Sequence, residues 1–157
     1  MKNLIIITGM SGSGKSVALE AIEDTGYFCI DNLPPILIPK VVELMEAADS
    51  KMNKVALGID LRGKEFFDDL IQKLETILTN EDIMLRIVFL DTDDDRLVSR
   101  YKETRRSHPL NEGVSVLEAI KRERVILDDL KSMASVIVNT TDLSPKELRD
   151  KIFALYS

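Results

Sequence analysis

The 157-residue chain has one cysteine, one histidine and no tryptophan, and aromatic residues make up only 5% of it. A lone Cys29 excludes an internal disulfide, and its apolar surroundings, Tyr27-Phe28-Cys29-Ile30, read as packing rather than thiol chemistry. The one histidine, His108, stands before Pro109 with no histidine or cysteine cluster to complete a metal site, and reads as a loop residue. No apolar run approaches the roughly 20 residues that span a bilayer. The N-terminus lacks the basic flank, apolar stretch and small-residue cleavage site of a signal peptide, so the expected location is cytoplasmic, with no membrane partner. A basic excess is missing too: 21 Lys and Arg stand against 27 Asp and Glu, a net charge of −6. That balance argues against a domain that grips nucleic acid by neutralising its phosphates. There is no repeat, low-complexity tract or linker, and the length suits one domain over 1–157.

Glycine is also scarce, but of seven glycines three fall in the first fourteen residues. Gly9-Met10-Ser11-Gly12-Ser13-Gly14-Lys15-Ser16 fits the pattern G-x-x-x-x-G-K-S/T without a mismatch. It follows a β-branched run, Leu4 to Thr8, that reads as a strand buried on both faces. It opens a segment from Lys15 to about Thr25 with helical periodicity. In that context the glycines let successive N–H groups turn inward, and the helix start adds its unsatisfied N–H groups and the positive end of its dipole. Lys15, expected to be exposed when the site is empty, supplies a point charge to the β and γ phosphates of ATP or GTP. The Ser16 hydroxyl supplies a ligand to Mg²⁺.

Further strands are expected at Tyr27–Asp31, Val55–Asp60, Met84–Leu90 and Val136–Val138. Helices are expected at about Ile36–Ala48, Phe66–Leu78, Asp94–Lys102, Val116–Ser132 and, after the N-cap pattern Ser144-Pro145-Lys146-Glu147, up to Leu155. The alternation predicts an α/β fold of three layers with a five-stranded parallel sheet; with the glycine loop it reads as a P-loop NTPase, and the order common among P-loop kinases, 2-3-1-4-5, is the one expected. A metal bound at such a loop needs a strand-terminal aspartate, and Asp31, Asp60 and Asp91 are the candidates. The strand order favours Asp60 as the metal ligand beside Ser16. Asp31 sits where an acceptor would bind, as a general base or a water-mediated metal partner, or else in an Asx turn before the prolines. Asp91 reads most simply as an element-terminal residue and helix cap. Arg96 and Arg100 share a helix face, with Arg105 and Arg106 just beyond it in the irregular stretch Glu103 to Gly113. Arg100, Arg105 and Arg106 suit a lid that clamps phosphate, against the alternative of a solvated face paired with Asp93, Asp94, Asp95 and Glu103. Arg96 reads as structural.

The run Ala21-Ile22-Glu23-Asp24-Thr25-Gly26-Tyr27-Phe28-Cys29-Ile30-Asp31-Asn32-Leu33-Pro34 carries more specific information, together with Asp60-Leu61-Arg62, Phe89-Leu90-Asp91, Arg100-Tyr101 and Thr104-Arg105-Arg106-Ser107-His108-Pro109-Leu110. With the glycine loop, these motifs resemble the RapZ/YvcJ nucleotide-binding proteins over most of the chain. The resemblance implies a P-loop kinase-like fold, ATP and GTP binding with slow hydrolysis, so a weak ATPase and GTPase, and an ATP site at Gly9 to Ser16. It places Asp60, Leu61, Arg62 and Gly63 on the family's guanine-nucleotide-binding segment. Family members are nearly twice as long, and a C-terminal domain carries RNA binding and contacts with regulators of amino-sugar synthesis. RNA or protein partners are therefore expected only through that further domain. The residues alone leave a small-molecule kinase open as the other reading.

Overall fold

A computed structural model describes residues 1–47, 50–59, 64–104 and 115–157, the side chains of 64–66 and 102–104 not among them. In chain order the described elements are β1 (Lys2–Gly9), α1 (Lys15–Glu23), β2 (Phe28–Ile30), a 3₁₀ turn (Pro35–Leu37), α2 (Ile38–Glu46), β3 (Lys54–Gly58), α3 (Lys64–Leu78), β4 (Ile83–Asp91), α4 (Asp94–Thr104), α5 (Val116–Ser132), β5 (Val136–Asn139) and α6 (Pro145–Tyr156). The five strands form one sheet in the order β2-β3-β1-β4-β5, every pair parallel. This is the kinase-like order expected for a P-loop domain.

Leu4, Ile5, Ile6 and Ile7 of the central β1 are wholly buried, and their alternation divides the core. Leu4 and Ile6 join Val55, Leu57, Leu85, Ile87 and Phe89 against α2, α3, α4 and α5. Ile5 and Ile7 join Ala56, Val88 and Leu90 against α1 and α6. Because successive side chains of a strand point to opposite faces, a continuous apolar run is what a sheet covered on both sides demands.

Two expectations change for physical reasons, the start of the second helix and the role of Asp91 as a cap. The helix expected from Ile36 begins as a 3₁₀ turn, and α2 starts at Ile38. Pro39 has no N–H to return to Pro35, so the chain tightens, with the Ile38 N–H meeting the Pro35 carbonyl, before the α-helix is set. Asp91 ends β4, but α4 begins three residues later at Asp94, so Asp91 does not cap it. Its carboxylate instead accepts from Arg124 Nη1 at 2.6 Å and Lys131 Nζ at 2.9 Å, joining β4 to α5. At the C-terminal helix the Ser144–Glu147 capping box is formed as its sequence predicts.

Candidate functional site

Parallel strands bring the carboxyl ends of β1, β3 and β4 to one edge, and the loop after β1 runs along it. Gly9, Gly12 and Gly14 have φ of +144°, +84° and +102°. At Gly9 the reason is contact as well as torsion: a Cβ there would lie 2.1 Å from the Leu90 carbonyl oxygen of β4. Only a bare backbone can leave the sheet so close to the neighbouring strand.

The loop's backbone groups divide into two sets. The Met10 N–H donates to the Leu90 carbonyl at 3.1 Å and the Ser13 N–H to the Met10 carbonyl at 3.0 Å. The Ser11 N–H donates to Glu123 Oε1 at 2.8 Å. Among the described residues the N–H groups of Gly12, Gly14, Lys15 and Ser16 have no such acceptor, and the last two open α1, whose first turn carries no acidic residue. Unspent donors at the positive end of a helix dipole form an anion-binding arrangement.

The loop carbonyls are turned to other partners. Arg100 of α4 donates through Nη1 to the Gly12 carbonyl at 2.8 Å and through Nη2 to the Thr140 carbonyl at 3.0 Å. Thr140 Oγ1 donates to the Ser13 carbonyl at 2.8 Å and lies 2.6 Å from Thr92 Oγ1. Arg100 thus ties the loop to the end of β5. The expected pairing of the α4 arginines with the aspartates beside them takes another form at Asp94, which pairs across to Arg124 of α5 at 2.5 Å. Arg124 also donates to the Thr92 carbonyl. Burial alone would lower the Arg124 pKa, but the carboxylates of Asp91 and Asp94 outweigh it and hold the guanidinium pKa above its usual value.

Lys15 is half-buried rather than exposed, its Nζ turned back to the Met10 and Gly9 carbonyls at 3.2 and 3.4 Å. Those carbonyls partly solvate its charge. Ser16 Oγ donates to Asp31 Oδ2 at 3.2 Å, while Asp31 Oδ1 accepts the Asn32 N–H at 2.8 Å. One Asp31 oxygen thus meets the loop serine and the other its own next backbone N–H, while the Leu33 N–H, which an Asx turn before the prolines would use, donates instead to the Gly58 carbonyl at 3.1 Å, so that turn is not formed. Asn32 takes up the turn with φ of +54°, a region that asparagine tolerates better than most residues. Gly58 of β3 makes room for that carboxylate, since a Cβ there would lie 2.5 Å from Asp31 Oδ1.

Ser16 Oγ and Asp31 Oδ2 are hard oxygen donors beside a phosphate-sized cradle, a set that suits Mg²⁺, which takes few protein ligands when phosphates and waters supply the rest. A cleft of about 720 Å³ adjoins the loop, lined by Gly12 to Gly14, Arg96 and Arg100, and the segment Thr140 to Pro145. Asp60, Leu61, Arg62, Gly63, Arg105 and Arg106 lie outside the described residues. Cys29 is pushed up to about 11 by burial and by the nearby Glu23 carboxylate, in keeping with a packing role.

Sequence reasoning missed Glu123, Thr92, Thr140 and Arg124. Glu123 did leave a signal. It interrupts the helical stripe Ala119, Ile120, Leu127 and Leu130, all buried, as Glu123 itself is, and a carboxylate in an apolar stripe calls for donors across the interface. The threonines left none, because their roles depend on which strand ends are neighbours.

The chain is 57% identical over 154 residues to a nucleotide-binding protein of Bacillus cytotoxicus, covering 98% of this chain and 53% of that protein. It is 56% identical over 154 residues to a nucleotide-binding protein of Bacillus cereus, with the same coverage. It thus spans about half the length of the curated relatives it matches. Among solved structures it resembles shikimate kinase from Bacteroides thetaiotaomicron, with a TM-score of 0.59 at 17% identity over 97% of this chain and 95% of that one. It also resembles a gluconokinase from Sinorhizobium meliloti, with a TM-score of 0.58 at 22% identity over 97% of this chain and 90% of that one. These likenesses establish a P-loop kinase-like fold. Residues 2–157 match the model of the RapZ-like N-terminal domain, and the chain belongs to that family.

Proposed function

We propose that the chain binds ATP and GTP with Mg²⁺ at Gly9 to Ser16 and hydrolyses them slowly, as the nucleotide-binding module of a RapZ/YvcJ-type regulatory protein. The observation that carries this reading is the convergence on one loop of unspent N–H donors, the Lys15 ammonium and the Ser16–Asp31 pair. In this reading the N–H groups of Gly12, Gly14, Lys15 and Ser16 receive phosphate oxygens, and Lys15 leaves the loop carbonyls for the β and γ phosphates. Ser16 and Asp31 hold the metal, Asp31 through a water, and Mg²⁺ when bound neutralises charge on the phosphates. Asp60 is proposed as a further ligand, and Asp60 to Gly63 as the family's guanine-nucleotide segment. The nucleoside occupies the cleft between Arg96 and the Thr140 to Pro145 segment. Arg100 holds the loop, and Arg105 and Arg106 are proposed to close on the transferred phosphoryl group.

Asp31 also supports a second reading, a small-molecule kinase. Its carboxylate lies just beyond β2, within hydrogen-bond reach of Ser16, and in this reading it serves as general base for an acceptor hydroxyl. Phosphate release from ATP and from GTP with Mg²⁺, for wild type and Lys15→Ala, with and without a pool of small metabolites, separates the readings. Slow release that ignores metabolites and disappears in the variant is the expected result. Nucleoside diphosphate formation that rises sharply with one metabolite would make the domain a kinase. A cytoplasmic setting is proposed, and RNA or protein partners only through a further domain such as the family carries; among the described residues no helix is long and apolar enough to cross a membrane.

A further inference from the structure

Glu123 lies on α5, far in sequence from the glycine loop, yet both its carboxylate oxygens meet one residue of that loop. Its Oε1 accepts the Ser11 N–H at 2.8 Å and its Oε2 accepts the Ser11 hydroxyl at 2.6 Å. Glu123 is 6% exposed and Ser11 8%, so both bonds are made away from solvent. A carboxylate placed among Ala119, Ile120, Leu127 and Leu130 is costly unless donors meet it, and a single residue of the loop provides two. Together the two bonds fix the backbone and the side-chain rotamer of Ser11.

We propose that Glu123 is a positioning residue for nucleotide binding, acting through Ser11 to hold the loop in its ligand-ready shape before any phosphate arrives. The proposal rests on the nucleotide-binding reading of the loop. Its physical content is preorganisation. Gly12 and Gly14 follow Ser11 and have no side chains to restrict them, so a loop free at Ser11 must be ordered by the ligand, at the expense of affinity. The Ser11 N–H faces α5, so it does not belong with the donors of Gly12, Gly14, Lys15 and Ser16. Within the stretch Gly9 to Ser16 expected to hold ATP, Ser11 in this proposal anchors the loop and its neighbours bind.

The test is calorimetry of Mg-ATP and Mg-GTP with wild type, Glu123→Ala, Glu123→Gln, Ser11→Ala and the double variant Ser11→Ala/Glu123→Ala. Glu123→Ala should weaken binding by about tenfold or more, because the order the clamp supplies must then come from the ligand. Glu123→Gln, whose amide oxygen still accepts the Ser11 N–H, should stay within about threefold of wild type. Adding Ser11→Ala to Glu123→Ala should change little, since one clamp cannot be lost twice. Unchanged affinity in Glu123→Ala would overturn the proposal. So would Glu123→Gln as weak as Glu123→Ala, which would mean that the charge matters and not the hydrogen bonds, or independent effects of the two sites. Amide exchange on nucleotide-free wild type tests the clamp without any variant and without relying on binding. The Ser11 amide should be protected before nucleotide is added, and an unprotected Ser11 amide would overturn the proposal even where nucleotide binds. Should wild type bind no nucleotide while the Ser11 amide is protected, the functional reading fails and the loop clamp stands as structure only.

Discussion

The hydroxyl of Ser16 donates to Asp31 Oδ2 across 3.2 Å, so the second residue of α1 and the residue after β2 meet at the mouth of the loop. Gly58 of β3 leaves the space in which that carboxylate sits. Asp31→Asn is expected to lower Mg²⁺-dependent nucleotide turnover by about a hundredfold, the scale of a positioned carboxylate in proton transfer or metal-water orientation. Nucleotide affinity should fall far less. Gly58→Ala, which crowds Asp31 Oδ1, should reproduce the turnover defect with Asp31 intact. Steady-state phosphate release paired with calorimetry checks both, and normal turnover in the Gly58→Ala variant would refute the placement.

Lys15→Ala should weaken nucleotide binding by at least about a hundredfold, since charge-assisted bonds to phosphate are lost. Stability should change by only about 0.5 kcal/mol, because the contacts to the Met10 and Gly9 carbonyls are long, at 3.2 and 3.4 Å. Calorimetry and a urea transition measure the two separately. Unchanged affinity would remove the assignment of the loop.

Arg100 joins the Gly12 and Thr140 carbonyls with two nitrogens of one planar group. Lysine offers a point charge in place of that fork. Arg100→Lys is therefore expected to weaken nucleotide binding by about five- to tenfold with the net charge unchanged, each lost hydrogen bond being worth about 1 kcal/mol. Wild-type affinity in Arg100→Lys would show that the charge suffices.

Asp91 gives a pH dependence. Burial by itself would raise its pKa, but hydrogen bonds from Lys131 and Arg124 outweigh burial and hold the carboxyl below its usual value. A carboxyl depressed in the folded state contributes stability that is present above its unfolded pKa, about 3.9, and is lost as pH falls through the folded value. Asp91→Asn should cost about 2 kcal/mol at pH 7, the worth of hydrogen bonds to charged groups. That difference should shrink as the pH falls below about 4. Urea transitions of wild type and variant at neutral and acid pH check it, and a difference that persisted undiminished in acid would exclude the ion pairs as its source.

Cys29, with its thiol pushed up to about 11, should react with a disulfide reagent in the native protein at pH 7 much more slowly than a free thiol, whose pKa is about 8.5. Absorbance of the released thiolate follows this, and rapid modification would indicate an activated cysteine.

Sequence and structure agree most closely where the signal is local. The loop Gly9 to Ser16, the start of α1 at Lys15, the bounds of α5 and the Ser144–Glu147 cap depend on residues within a few positions of one another, and the structure places each where its pattern predicts. A parallel sheet was also legible in the alternation of strands with helices, and its order followed from the glycine loop, through the order common among P-loop kinases. Partners chosen by long-range packing were less legible. The sequence marked Arg100 as basic but not that it would meet the carbonyls of Gly12 and Thr140, and Asp91 looked like a cap before β4 and α5 were seen to share it.

By itself the sequence determined the chemistry available to this protein: a lysine, a serine and inward-facing amides at the start of a helix, on a sheet buried on both faces. Only the tertiary structure decided how the loop is held, with Glu123 beneath Ser11, Arg100 and Thr140 on its carbonyls, and Asp31 in the space beside Gly58. The reason is physical: a glycine-rich turn has few side chains with which to fix its own shape, so its conformation is set by donors and acceptors that the fold brings from β2, α4, α5 and the end of β5.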